Sequence, residues 1–225
     1  MAGKAHRAAK TASEARPVIH TTAQTPTATP FRLFDLPGEL SNLIYQKIAE
    51  DQSAWLNPKI QLVDDSGILE IDELREEYYQ MLLLHAGHIY TTVRDCNFRY
   101  IITFLNRLSE AELKALPTTT KPSTRSITVR LDLGFSEHQG RAALWRWLNR
   151  VEDTTKKGTK LDISYEPMLH RSTLNRRGPQ RYIPLSIADS WNREIDNYLR
   201  WEGGERSHAE ARKIKAAINL PYTGE

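Results

Sequence analysis

Apolar residues at helical spacing define the first ordered element of the chain. An apolar stripe at i, i+3, i+4 and i+8 is formed by Leu40, Leu43, Ile44 and Ile48, which predicts a short amphipathic helix. Pro37 suits the first position of this helix, because the amide hydrogen that proline lacks would have no partner there. We therefore expect a helix that begins at residue 37 and carries one apolar face.

A longer helical pattern spans residues 73–94, although Gly87 weakens helix formation there by about 1 kcal/mol relative to alanine. Between the two helices, turn signals separate residues 60–62 from residues 68–71, and these two segments are expected to form a small hairpin. The predicted buried side of the longer helix consists of Leu74, Tyr78, Met81, Leu82, Ile89 and Val93.

The second half of the chain changes from a helical to an alternating pattern. After an apolar helix at residues 98–108, apolar and polar side chains alternate over residues 126–133, which predicts a half-buried strand. A helix at residues 140–151 and a second alternating segment at residues 160–165 follow. Together they predict a crossover unit, which is right-handed if its strands are parallel. The tryptophans expected at the flanks of this helix are Trp145 and Trp147.

The C-terminal segment has a helical period again. Ser186 and Asp189 have the spacing of a capping box at its start, and Gly203-Gly204 ends it. A second, more polar helix is predicted over residues 207–218. The apolar side of the first of these helices consists of Ile187, Trp191, Ile195 and Leu199.

These elements predict an α+β protein. Residues 1–30 show no apolar periodicity and are rich in Ala, Thr, Lys and Pro, so we expect a disordered basic tail. Residues 31–108 are predicted to form a helical N-terminal module, and residues 109–225 a small β-α-β layer covered by C-terminal helices. With 40% hydrophobic residues, the chain has enough apolar material for a packed core.

The net charge of +3 is matched by the excess of basic residues in the tail, so the remaining body is neutral. A neutral body is a poor match for a dedicated nucleic-acid binder. The tail also suits a mitochondrial presequence or a weak nuclear-import signal. Because the chain has one cysteine and no apolar run long enough to span a bilayer, we expect it in the cytosol or nucleus, without membrane contact.

Few residues are candidates for catalysis or metal binding. His85 and His88 are three residues apart on the predicted helix, but a stable metal site needs three or four ligands. Cys96 lacks the orienting group that a cysteine nucleophile needs, and a small buried thiol is the expected alternative. The acidic side chains of residues 70–77 suit the start of a helix. We predict no catalytic site, no metal and no cofactor.

Four arginines are concentrated near Tyr182: Arg171, Arg176, Arg177 and Arg181. Guanidinium groups beside an aromatic ring can bind phosphate or an acidic peptide. The alternative is a solvated loop that carries surface charge.

Residues 33–40, Leu-Phe-Asp-Leu-Pro-Gly-Glu-Leu, followed by Leu-Ile-Tyr at residues 43–45, resemble an F-box in the divergent form found in many small fungal proteins. Residues 82–90, Leu-Leu-Leu-His-Ala-Gly-His-Ile-Tyr, are similar to a second block of that family, Leu-Leu-Leu-Thr-Cys-Arg-Gln-Ile-Tyr. The likeness extends loosely over residues 31–165, and Ser41 stands where the family commonly has arginine.

The resemblance implies an adaptor role, in which F-box helices dock on a Skp-type adaptor of cullin-based ubiquitin ligases and the rest of the chain recruits a target protein. The residues implied as docking contacts are Leu36, Pro37, Leu40 and Ile44. An apolar helix that enters a partner's groove is a known mode of recognition. The alternative is that the same side chains fill the core of this chain.

The leading hypothesis is therefore a protein-interaction module that binds a Skp-type adaptor and an unknown protein target. The alternative function is that of a nucleic-acid-associated protein that uses residues 1–20 and the arginine-rich residues 170–181. Salt separates the two, because phosphate-driven binding weakens steeply with ionic strength and apolar docking does not.

Overall fold

A computed structural model describes residues 36–117, 125–134, 138–168 and 183–221. The chain divides into two parts, residues 1–36 and residues 37–225. All the helices and strands given below belong to the second part. The tail predicted at residues 1–30 lies outside the described residues.

The described part of residues 37–225 combines α-helices with one five-stranded mixed sheet, which confirms the predicted α+β class. None of its helices is long and apolar enough to cross a membrane. The helices are α1 (Gly38–Asp51), α2 (Asp72–His85), α3 (Arg99–Arg107), α4 (Glu110–Ala115), α5 (His138–Glu152), α6 (Leu185–Trp201) and α7 (Glu205–Ile218). The strands are β1 (Ser53–Leu56), β2 (Leu62–Val63), β3 (His88–Arg94), β4 (Ser126–Asp132) and β5 (Ile163–Pro167), and a 3-10 turn (Ile68–Glu70) precedes α2.

The sheet has the strand order β2-β1-β3-β4-β5, with β2 antiparallel to β1 and the other pairs parallel. β3 and β4 pair along their whole length, from His88 with Ser126 to Arg94 with Asp132. One sheet therefore continues across residue 108, where the helical module was expected to end. The predicted crossover unit is confirmed, because β4, α5 and β5 follow one another and the two strands are parallel.

The two faces of the sheet differ in burial. Strand order increases in one direction along β1, β3, β4 and β5, so right-handed crossovers place the connecting helices on the same face. That face is buried, and its central rows include Leu56, Val93, Leu131 and Ile163. Successive side chains of a strand point to opposite faces, and apart from the buried Thr128 the other face carries half-buried and exposed residues.

An aromatic cluster lies on this second, open face. The rings of Trp55 and Tyr90 are in register on β1 and β3, with centroids 5.1 Å apart. The guanidinium carbon of Arg130 lies 4.8 Å and 4.7 Å from the two centroids, and Arg130 also pairs with Glu166 at 3.7 Å. A cation over ring faces is an attractive arrangement, so Arg130 itself covers these rings.

The predicted helix at residues 73–94 is wrong in its second half. α2 ends at His85, and His88 begins β3. The four-residue spacing of Ile89 and Val93 imitates a helical stripe, but along β3 buried residues alternate with exposed or half-buried ones. The β-branched side chains of this segment pack well on a pleated surface, and sheet pairing outweighs its weak helical pattern. The first half is right, since Leu74, Tyr78 and Leu82 are buried, whereas Met81 is half-buried.

The predicted hairpin between residues 60–62 and 68–71 is also wrong. β2 pairs with β1, and residues 68–70 form the 3-10 turn. β2 pairs with β1 because a tight turn joins the two strands. In this turn the amide of Asn57 donates to the carbonyl of Gln61 at 3.0 Å. The amide of Gln61 in turn donates to Oδ1 of Asn57 at 3.1 Å.

The predicted helices α5 and α6 are present, with local corrections. Trp147 is buried rather than at a flank, because its ring stacks on Phe98 with centroids 4.6 Å apart. Pro184 precedes α6 without a side-chain cap, so the predicted capping role of Ser186 is wrong. Tyr198 is buried on α6, whereas Leu199 is half-buried.

A buried hydrogen-bonded chain links α5, β5 and α7. The indole Nε1 of Trp147 donates to the hydroxyl of Tyr165 at 2.9 Å, and that hydroxyl donates to Oε1 of Glu210 at 2.5 Å. Glu210 is buried, and burial raises the pKa of its carboxyl above the ordinary value. Because buried polar groups are costly without partners, these three side chains stabilise the packing only as a set.

Candidate functional site

α1 has a packing face made of small and aromatic residues. Ser41, Tyr45 and Ala49 recur every fourth residue and are buried. The ring of Tyr45 meets that of Tyr78 on α2 edge to face, with centroids 5.9 Å apart. The small side chains on either side of Tyr45 let the two helices approach closely. This face, rather than the apolar stripe, attaches α1 to the rest of the fold.

The apolar stripe of α1 points largely toward solvent. Leu40 is 47% exposed and Leu43 is 61% exposed, while Ile44 is half-buried. Residues three and four apart are neighbours on a helix surface, so the three side chains form one patch, called here the α1 apolar face. Leu40 and Leu43 therefore do not fill the core. Adjacent exposed apolar residues are typical of an interaction surface.

The start of α1 continues this surface. Pro37 precedes the helix as its N-cap instead of occupying the first helical position, and Gly38 begins the helix. The carbonyl of Pro37 accepts hydrogen bonds from the amides of Leu40 at 2.9 Å and Ser41 at 3.1 Å. Pro37 is exposed, whereas Leu36 is half-buried and belongs to the first part of the chain. Of the four implied docking residues, Pro37 and Leu40 are exposed and Ile44 is partly so.

The resemblance to F-box proteins implies that a partner would dock on this exposed helix start. No protein-family model, curated protein or solved structure matches the chain. The adaptor hypothesis therefore depends on the residues of α1 and on their exposure.

His85 and His88 lie where α2 ends and β3 begins, and Cys96 follows the end of β3. His85 ends α2 and His88 begins β3, where its Nδ1 lies 2.8 Å from the hydroxyl of Ser126. Cys96 is completely buried, and burial raises the pKa of its thiol, with the charge of Asp95 adding to the effect. Among the described residues, no group of three His, Cys, Asp or Glu side chains has the arrangement of a metal site.

The structure does not describe the arginines that were predicted to bind phosphate or an acidic partner. Arg171, Arg176, Arg177 and Arg181 lie within residues 169–182, outside the described residues, as does the basic tail. Binding of phosphate or an acidic partner by these residues stays a prediction.

Sequence reasoning missed a concave surface, called here the β2–α2 groove. It has a volume of about 800 Å³. One wall is formed by residues 60–63 of the turn and β2, and the other by residues of α2, among them Asp72, Arg75, Glu76 and Tyr79. β2 has only two residues, which is too short for a periodic signal. The spacing of the α2 residues gave a signal, because 72, 75, 76 and 79 share one helix face.

Proposed function

We propose that this chain is a non-catalytic protein-docking module whose α1 apolar face binds a Skp-type adaptor in the manner of an F-box. The observation that carries the proposal is the division of α1 into two faces. Tyr45 anchors the helix on α2, while Leu40 and Leu43 remain exposed on another side. A helix held in this way presents its apolar residues without having to leave the core.

The geometry suits docking into a partner's groove. Leu40 and Leu43 belong to the first two turns of α1, and the exposed Pro37 and Gly38 lead into them. The N-cap carbonyl already accepts two helix amides, so the start of the helix is ordered before a partner arrives. Little conformational entropy is then lost on binding, which favours affinity for a given contact area.

Binding to a purified Skp-type adaptor tests the proposal directly, by isothermal titration of the wild-type chain and of the double variant Leu40→Asp/Leu43→Asp. We expect the wild type to bind and the variant to bind at least about tenfold more weakly, because two half-exposed leucines lose their apolar burial in the complex. Circular dichroism should show both proteins equally folded, since the substituted side chains lie outside the core.

Leu185→Asp is the matched control. Leu185 is 55% exposed, between the values of Leu40 and Leu43, and it begins α6 in place of α1. We expect this variant to bind like the wild type. The proposal fails if the wild type does not bind the adaptor, or if the double variant and the control bind equally well.

A further inference from the structure

A cavity of about 210 Å³ lies where α3, α5, β5 and α7 meet, and it is called here the α5–α7 cavity. Its mouth is open to solvent, because Arg150, Arg206 and Lys213 on its wall are half-buried and Ala209 is exposed. Since a cavity of about 150 Å³ can hold benzene, this one has room for a benzene ring and one further polar group. Its floor is apolar and includes the buried side chains of Leu105, Trp147 and Ile163.

Two guanidinium groups on the wall are held in place by the loop between α5 and β5. Nη2 of Arg150 donates to the carbonyl of Lys157 at 2.7 Å, and Nη2 of Arg206 donates to the carbonyl of Thr159. A guanidinium group has five N–H donors. Nε and Nη1 of both arginines donate to none of the described residues. These donors are therefore fixed in position and available to a ligand.

The positive charge of these two groups is not neutralised at the cavity. Neither arginine forms a salt bridge with the part of the chain that the structure describes. Glu210 also lines the cavity, but its Oε1 accepts from Tyr165 and its Oε2 lies 3.7 Å from Nζ of Lys213. The acids nearest in sequence, Glu152 and Asp153, do not line it: Glu152 accepts a backbone amide of α7, and Asp153 pairs with a lysine of its own loop. The cavity therefore favours a negatively charged occupant.

We propose that the α5–α7 cavity binds a small organic acid, whose carboxylate is held by Arg150 and Arg206 and whose apolar body lies on the floor. Guanidinium groups match carboxylates in geometry and form short, charge-assisted hydrogen bonds with them. Ligand sites in proteins are commonly apolar with a few polar groups that fix the orientation of the ligand, and this cavity has that composition.

The two parts of the cavity disfavour other classes of ligand. An inorganic anion would satisfy the guanidinium groups but would leave the apolar floor in contact with water. A neutral apolar molecule would cover the floor but would leave two charged groups partly desolvated without a partner. An organic cation would be repelled by both arginines. Only a molecule with a carboxylate at one end and an apolar body at the other uses both parts.

This inference does not depend on the adaptor proposal. The α1 apolar face consists of Leu40, Leu43 and Ile44, and none of these residues lines the cavity. Binding of an adaptor and binding of an organic acid can therefore each fail while the other succeeds.

The probe is 4-fluorobenzoate, titrated with the full chain and followed by fluorine NMR. We expect saturable binding with a dissociation constant below about 1 mM, and binding at least about tenfold weaker for 4-fluorobenzamide, which has the same shape without the charge. On the ¹⁵N-labelled chain, the indole N–H resonance of Trp147 should shift with the same dissociation constant. The resonance of Trp55, on the open face of the sheet, should not shift.

Arg206→Gln and Arg212→Gln form a matched pair of variants with the same change in charge on the same helix. Arg206 lines the cavity, whereas Arg212 is exposed and lies outside it. We expect Arg206→Gln to weaken binding of 4-fluorobenzoate by at least about tenfold, and Arg212→Gln by less than about threefold. Circular dichroism checks the fold of both variants, since Arg206 also holds the loop.

The inference is overturned if 4-fluorobenzoate does not bind the wild type, if 4-fluorobenzamide binds equally well, or if the two folded variants behave alike. It is also overturned if the resonance of Trp55 shifts and that of Trp147 does not. If Arg206→Gln is unfolded, the comparison of the two ligands and the Trp147 resonance decide the matter on the wild-type chain.

Discussion

Replacing Gly140 by alanine lowers the free energy of unfolding by about 2 kcal/mol, although the same change within a helix usually stabilises a protein. A Cβ atom at this position of α5 would lie 2.8 Å from the Trp191 ring and 3.3 Å from the carbonyl oxygen of Asp95. The ring is fully buried, and its Nε1 donates to the carbonyl of Gly134 at 2.7 Å, so it has little freedom to move. Urea denaturation followed by circular dichroism measures the loss.

A double-mutant cycle with Trp191→Phe isolates the contact. Phenylalanine lacks the outer ring atoms that the new methyl group meets, so Gly140→Ala should cost at least about 1 kcal/mol less in that background. Gly38→Ala is the control, because nothing lies within 4 Å of a Cβ there, and its stability should be unchanged or higher. Equal costs of Gly140→Ala in both backgrounds would mean that Trp191 is not the obstacle.

Replacing Tyr165 by phenylalanine lowers the free energy of unfolding by about 3 kcal/mol at pH 8. The change removes the hydroxyl that accepts the indole hydrogen of Trp147 and donates to Glu210. Both remaining groups then lie in the packed layer between α5, β5 and α7 without this partner. Urea denaturation at several pH values measures the effect.

The cost of Tyr165→Phe should grow with pH. Burial raises the pKa of Glu210 above its ordinary value of 4.5, and the hydrogen bond from Tyr165 and the charge of Lys213 oppose that rise. Loss of the hydroxyl therefore raises the pKa further. Above pH 4.5 the unfolded chain has released this proton and the folded chain retains it, so stability falls as pH rises through the window up to the folded pKa.

Glu210→Gln identifies the group responsible. The amide oxygen of glutamine can still accept from Tyr165, and the variant has no carboxyl to titrate. Its stability should vary less than that of the wild type above pH 4.5, and adding Tyr165→Phe should cost the same at pH 5 and at pH 8. A pH-dependent cost that persists in the Glu210→Gln background would point to a different titrating group.

Periodicity predicted the long elements well and the orientation of α1 poorly. The spacing of Leu40 and Leu43 gives the helix but does not say which side packs. The buried side depends on Tyr45 between Ser41 and Ala49, because small residues allow close contact with α2 and contribute little to an apolar pattern. A search for hydrophobic stripes therefore finds the exposed face of this helix first.

The sheet was predicted only in part, because strand pairing is non-local. β4 was predicted from its own alternation, and β5 two to three residues too early. The spacing of the apolar residues in β3 also fits a helix, and the segment is a strand because it pairs with β1 and β4. β1 and β2 are too short to give a period. The β2–α2 groove requires both β2 and α2 to be placed, so it could not be predicted from either segment alone.

Because Cys96 is buried, the reaction of its thiol with a reagent reports local opening of the fold. This thiol is the only one among the 225 residues, and it has no exposed surface in the folded state. A thiol reagent can modify Cys96 only when the end of β3 separates from the helices that cover it. The labelling rate of the folded chain, divided by that of an unfolded peptide, therefore gives the equilibrium constant for that opening. Asp95 is the residue before Cys96, and its carbonyl lies against Gly140. Labelling kinetics can therefore follow the packing around Gly140 in native buffer, with no added dye or denaturant.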